Sequence, residues 1–166
     1  DLTRAEFEGR RRIHAMVEHV RAKLPGFANC YVVDVAPQTG VRQTRMLEGD
    51  YVVTKSDITN RVHFPDSIAR GRDYYTPYRA LLPRGIDQLM VAGRHYSATP
   101  QAQKISREIP PCMAMGEAAG VAAAMALSAG TTVRNVDVTA LQRRLRDQGA
   151  DPGDQPAHAR QPEPVA

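Results

Sequence analysis

The stretch from Gln88 to Ala129, QLMVAGRHYSATPQAQKISREIPPCMAMGEAAGVAAAMALSA, limits what this chain can fold into more than any other. It opens on the apolar run Leu89-Met90-Val91-Ala92, the length of a buried strand, which ends on Gly93. It closes on a long small-residue helix whose start is marked by Pro110-Pro111. Proline in the first turn loses nothing, because the first N–H groups of a helix have no internal partner. Free donors and the helix dipole at such a start suit an anion or a carbonyl oxygen.

Gly116 and Gly120 stand four apart in that helix among Ala114, Ala118, Ala119, Ala122, Ala123 and Ala124. Side chains no larger than a methyl let another backbone or a flat ligand come close. The apolar run from Met113 to Ala129 is short for a membrane span and carries Glu117. Two readings stay open on these residues alone: a helix packed tightly on a sheet, or a helix facing a ligand.

The strand–Gly–Arg start decides between them. Val91-Ala92-Gly93-Arg94, Ser97-Ala98-Thr99, Arg107 and the run from Pro111 to Gly120 together resemble the C-terminal FAD-contacting segment of the FAD-dependent oxidoreductases. The resemblance runs from Leu2 to Ala150. It takes in Arg42-Gln43-Thr44-Arg45, Gly49-Asp50-Tyr51-Val52-Val53-Thr54, Ile68-Ala69-Arg70-Gly71 and Pro77-Tyr78-Arg79. It implies an α/β (mixed α+β) fold, the C-terminal part of an FAD/NAD(P)-binding glutathione-reductase-like fold. Strands of a substrate-domain sheet would occupy 1–87 together with a first helix. The FAD-binding segment and closing helices would occupy 88–150.

The family's N-terminal half opens with a strand–GxGxxG–helix unit that holds the ADP part of FAD. No GxGxxG occurs in this sequence, and residue 1 is Asp. The expectation is therefore the C-terminal half or small subunit of a flavoprotein, completed by the N-terminal FAD-binding half on the same or another chain. Such a piece would expose an apolar face. Its chemistry would be oxidation of a small organic substrate by hydride transfer to flavin. A non-catalytic structural or assembly module of the same fold is the alternative.

By position, the resemblance assigns cofactor contacts to Gly93, Arg94, Arg107, Pro111, Cys112, Met113, Ala114 and Gly116. Backbone N–H groups around Cys112, Met113 and Ala114 would meet the ring edge. Gly93 and Arg94 would lie near the ribityl and phosphate portion. One of Arg42 or Arg45 would fix an anionic group of cofactor or substrate, unless these two form surface ion pairs. Tyr75 and Tyr78 would wall the substrate cavity, or else fill the core. His95 is the candidate catalytic acid or base, without a visible partner. Cys112 at a helix start favours a thiolate, but a small buried residue is the preferred reading.

Composition excludes several other classes. The 22 basic residues outnumber 18 acidic ones by single arginines spread along the chain, not by a run with interleaved aromatics, which points away from nucleic acid. Cys30 and Cys112 are too far apart in sequence for metal-ligand spacing, so no metal is expected. No signal peptide or membrane segment is visible, and a reducing, cytoplasmic setting is the default.

The remaining elements follow in order. Thr3 and Glu6 fit a capping box, Ile13, Met16, Val17, Val20 and Leu24 recur at helical spacing, and Pro25-Gly26 ends the helix. Arg10-Arg11-Arg12 beside the stripe reads as a solvent face. Tyr31–Ala36, Val41–Leu47 and Tyr51–Val53 read as strands, and Thr54 with Asp57 as another helix start. Residues 60–73 read as loop, with His63 on it, and 74–83 as an edge-like extended segment because of Pro77. Gly130 fits a C-cap, and Asp137 or Thr139 starts a last helix with Val138, Leu141 and Leu145 as its stripe. The tail 151–166, rich in proline and poor in apolar residues, reads as disordered.

Overall fold

A computed structural model describes residues 1–154. The chain divides into two compact units, Asp1–Thr44 and Arg45–Ala166.

The first unit is the helix α1 (Leu2–Lys23) and the irregular segment after it. The helix forms where its spacing predicts and ends before Pro25, with Gly26 at φ +86°. The capping box does not form. Asp1 holds the N-cap position, Thr3 lies inside the helix, and Glu6 accepts the N–H of Thr39. Arg11 and Arg12 both bond Glu8, at 2.9 and 2.8 Å, which confirms the arginine triplet as a solvent face. The segment 31–36 forms no strand, and Tyr31 and Val33 are 76% and 86% exposed. A strand needs a ladder partner for its backbone groups, and this unit supplies none. Side chains hold the segment instead: Arg21 donates to the Cys30 carbonyl at 2.8 Å and Arg10 to that of Pro37 at 3.3 Å.

The second unit carries the core. It is a mixture of helices with one small sheet, the hairpin of β1 (Ser67–Arg70) and β2 (Tyr75–Pro77). The pair is antiparallel, with Arg70 opposite Tyr75 and an irregularity between Ser67 and Ala69. β1 lies in the segment read from sequence as loop, a correction. Only four residues long, it is buried through both faces and shows no alternation.

Three further segments exchange backbone hydrogen bonds without becoming regular strands. Ser97 is their hub. Its N–H donates to Ala80 O and its carbonyl accepts from Val53, each at 3.0 Å, while its Oγ accepts the Gly49 N–H at 3.0 Å. A Cβ on Gly49 would lie 2.8 Å from that of Ser97, so glycine is required there. The expected strands 41–47, 51–53 and 89–92 thus reduce to isolated contacts: a single bridge at Val53, and the Val91 N–H to Leu81 O at 2.8 Å.

The helices are better behaved. α2 (Lys55–Thr59) begins at the expected helix start of Thr54 and Asp57, which form a capping box. α3 (Pro100–Ser106) was not foreseen, although Thr99 caps it and Pro100 opens it, which are ordinary start signals. α4 (Ile109–Ser128) turns Pro111, Met115, Ala118, Ala122 and Ala126 into the core, packing on β1 and on α5 (Val138–Asp147). Gly130, at φ +62°, follows α4 as expected. Asp137 caps α5, whose Leu141 and Leu145 are buried.

At 20 residues α4 is long and apolar enough to cross a membrane by length and composition, contrary to the length expected from Met113–Ala129. Its inner column packs as the core helix of a globular unit does. Of the expected disordered tail, 155–166 lies outside the described residues. Residues 151–154 are instead packed on the hairpin, with Pro152 and Gly153 buried.

Candidate functional site

Three pieces expected to serve one site meet in the second unit: the Gly93-Arg94-His95 loop, the start of α4, and the Arg45–Leu47 segment. The loop needs its glycine for backbone reasons, since Gly93 has φ +102° and a Cβ there would touch nothing within 4 Å. It is held from inside by Gln103, 1% exposed, whose Nε2 donates to Arg94 O at 3.0 Å. The Leu47 N–H donates to His95 O at 3.0 Å, which brings the segment beginning at Arg45 alongside. Arg45 is exposed. Arg42 falls in the first unit, so the two arginines belong to different bodies.

The start of α4 differs from the expected anion seat. Glu108 holds the N-cap position and Ile109, Pro110 and Pro111 follow, so only Ile109 carries an N–H in the first three helical positions. The Cys112 N–H is already given to Glu108 O at 3.2 Å, and Met113 and Ala114 lie deeper in the helix. Cys112 therefore offers no free backbone donor, a correction to the expectation. Burial pushes its thiol pKa up, and the nearby Arg94 guanidinium offsets this only in part. This local setting favours the thiol over the thiolate.

The outer face of α4 is open. Ile109, Met113 and Leu127 are 76%, 69% and 82% exposed, and Gly116 and Gly120 lie between them. A Cβ at either glycine would meet nothing within 4 Å. Glu117, at the margin of this strip, is the single charge within the helix. Arg107, half-buried, closes α3 with its N–H on Gln103 O at 3.1 Å. His95 is exposed, and its ring makes no hydrogen bond among the described residues.

The tyrosines expected on a cavity wall are enclosed. Tyr78 is 2% exposed and donates its hydroxyl to Val133 O at 2.7 Å, and burial pushes its pKa up to about 12. Tyr75 is 8% exposed, with the His63 ring edge-on at 5.0 Å.

Sequence reasoning missed other polar groups. Tyr96 and Ser106 share a buried 2.6 Å hydrogen bond, and Tyr74 buries its hydroxyl without a partner among the described residues. A concavity of about 430 Å³ has Tyr78, Leu82 and Val138 on its floor. Its charges are matched in two pairs, Asp66 with Arg79 and Asp50 with Arg134. Only the pairing of distant Asp and Arg residues in space reveals it, and sequence spacing carries no trace of that.

A model of the FAD-dependent oxidoreductase family matches residues 1–73 and 70–145. The chain belongs to the FAD-dependent oxidoreductase family. No curated protein and no solved structure matches it. The family's description implies dependence on FAD, and the residues of this FAD-dependent oxidoreductase can be tested against that cofactor. They fit its flat ring end. The open surface over Gly116 and Gly120 admits a plane that any larger side chain would hold off. The phosphate end is not matched at α4, where two prolines remove donors that a pyrophosphate requires.

Proposed function

We propose that this chain is the C-terminal half or small subunit of an FAD-dependent oxidoreductase of glutathione-reductase-like fold, and that it supplies the surface closing on the flavin ring. The observation that carries the reading is α4 itself. A helix apolar on all sides is stable in water only when both faces are covered. Here one face is buried in the core and the other, bearing Gly116 and Gly120, is open.

Bound FAD would supply a hydride acceptor for a small organic substrate. This chain's own residues would hold and orient it. Met113, Ala114 and Gly116 would face the ring. Pro111 and Cys112 would shape the helix start beside it, where the dipole, more than individual N–H donors, favours negative charge. Arg94, and Arg107 behind it, would add positive charge. Arg45 or Arg42 would hold an anionic group. His95, exposed on the same loop as Arg94, is the group available to move a proton. Enclosure of Tyr75 and Tyr78 makes them supports of that wall more than direct substrate contacts.

The ADP portion belongs, in this proposal, to a GxGxxG-bearing half on the same or another chain, and the setting is cytoplasmic. A structural module of the same fold is the second reading, favoured by the donor-poor start of α4. A visible absorption spectrum of the protein from its natural source, with intact masses of every accompanying chain, separates the two. A flavin band with a GxGxxG-bearing segment supports the oxidoreductase. A colourless protein supports the module and ends the cofactor assignments.

A further inference from the structure

The residues that follow α5 lie across the hairpin in a way the proposed chemistry does not use. Pro152 is fully buried, and its carbonyl accepts the Ser67 hydroxyl at 2.7 Å. The next carbonyl, of Gly153, accepts from His63 Nε2 at 2.9 Å. Asp151 pairs with Arg70 at 3.1 Å, and its other oxygen accepts the Gly153 N–H at 2.9 Å. Asp154 pairs with Arg146. Gly153 sits directly on Tyr75: a Cβ there would lie 2.8 Å from its Cδ1, 3.1 Å from Arg70 Cβ and 3.1 Å from Ser67 Oγ.

Three features set this segment apart from the elements beneath it. Its attachments to the hairpin are side-chain hydrogen bonds and an ion pair. Among the described residues none is a backbone–backbone bond. Its one apolar anchor is Pro152, and Asp151 keeps 64% of its side chain in solvent. Its seat depends on Gly153, whose φ of +67° is unfavourable for any other residue. A segment held by a few polar contacts and one proline opens at far lower free energy than the core it covers.

We propose that residues 151–154 form a detachable cover over the Tyr75 ring and a donor-lined notch beside it made by His63, Ser67 and Arg70. Closed, the cover answers the notch's donors with two carbonyls and a carboxylate. Open, it presents an imidazole, a hydroxyl and a guanidinium on one edge of the hairpin, beside the Tyr75 ring. Control of the wall that Tyr75 supports would follow from the preceding reading, on which that consequence alone rests. The cover is independent of flavin.

Nitration of the full chain by tetranitromethane, followed by peptide mass analysis, reads the cover without any cofactor. The structure supplies both standards, because Tyr31 is 76% exposed and Tyr78 is 2% exposed. Tyr31 should react at once and Tyr78 should resist, with Tyr75 between them. Gly153→Ala, which forces the segment off Tyr75, should raise the Tyr75 rate about tenfold or more and leave Tyr78 protected. Asp151→Asn, which removes only the charge facing Arg70, should raise it less, and added salt should do the same in the wild type. Tyr75 as slow as Tyr78 in every variant would overturn the proposal. So would joint exposure of Tyr75 and Tyr78 in Gly153→Ala, because the segment would then be part of the core and not a cover. A failure here leaves the flavin reading standing, which the absorption spectrum judges separately.

Discussion

The ring of Tyr74 occupies the space that a side chain on Gly71 would fill: a Cβ there would lie 2.2 Å from Cζ and 2.3 Å from Cε1. The two residues flank the turn of the hairpin, and the Gly71 N–H donates to Tyr74 O at 2.9 Å. Close approach of ring to backbone is how Tyr74 reaches 4% exposure. Gly71→Ala should therefore force the ring out and cost about 2–3 kcal/mol, the usual range for overpacking a core. A denaturant midpoint shift at unchanged slope checks it.

The same ring carries a hydroxyl with no hydrogen-bond partner among the described residues. A buried donor left unpaired costs more than its removal does. Tyr74→Phe should then be neutral or stabilising by about 1 kcal/mol. Tyr78→Phe makes the contrast. It strips the Val133 carbonyl of a 2.7 Å donor and should cost about 1–2 kcal/mol. Equal effects from the two substitutions would mean that Tyr74 has a partner the described residues lack.

Alkali should find these phenols last. Burial holds Tyr78 and Tyr96 up to about 12, and raises Tyr74 as well, against an ordinary value near 10. In Tyr96 the hydrogen bond with Ser106 works against burial without cancelling it. A folded-state pKa above the unfolded one means that the folded state holds its proton longer. The stability linked to these groups is thus complete below about pH 10 and is lost as pH rises toward 12. Absorbance at the phenolate band follows their ionisation. The buried three should ionise together with loss of near-UV dichroism. Ionisation of Tyr74, Tyr78 and Tyr96 near 10 with the fold intact would contradict their burial.

What the sequence disclosed follows its local grammar. α1, α4 and α5 were legible because helical spacing and end signals are written within a few residues, as with Pro110-Pro111, Gly130 and Asp137. The helix start at Thr54 with Asp57 was legible for the same reason. The strands were not. Leu89–Ala92 and Tyr51–Val53 have the composition of strands, but whether such a run forms a ladder depends on which distant segment lies beside it. Here Ser97 takes those bonds singly. The site divides the same way. Gly93, Arg94 and the small-residue face of α4 come from one continuous motif. The Gln103 brace behind Arg94, the enclosure of Tyr78 by Val133 and the covering of Tyr75 by Gly153 are all made across the fold.

The exposed glycines of α4 give the sharpest test of what that helix faces. In the chain alone, Gly116 and Gly120 contribute nothing by contact, since a Cβ at either meets only open space. Glycine in a helix interior is unfavourable by about 0.5–1 kcal/mol relative to alanine, so Gly116→Ala should stabilise the isolated chain by that amount. Gly116→Leu should leave its melting within about 0.5 kcal/mol, as exposed substitutions do. On the proposed reading, FAD binding should respond in the opposite sense. A leucine at 116 would hold any plane lying on α4 away from the backbone, and FAD retention should fall by tenfold or more, about 1.4 kcal/mol. Equilibrium dialysis of the cofactor against wild type, Gly116→Ala and Gly116→Leu measures it. Full retention in the leucine variant would place the flavin away from this face. The open glycines would then serve contact with another helix, where small residues four apart also allow close approach.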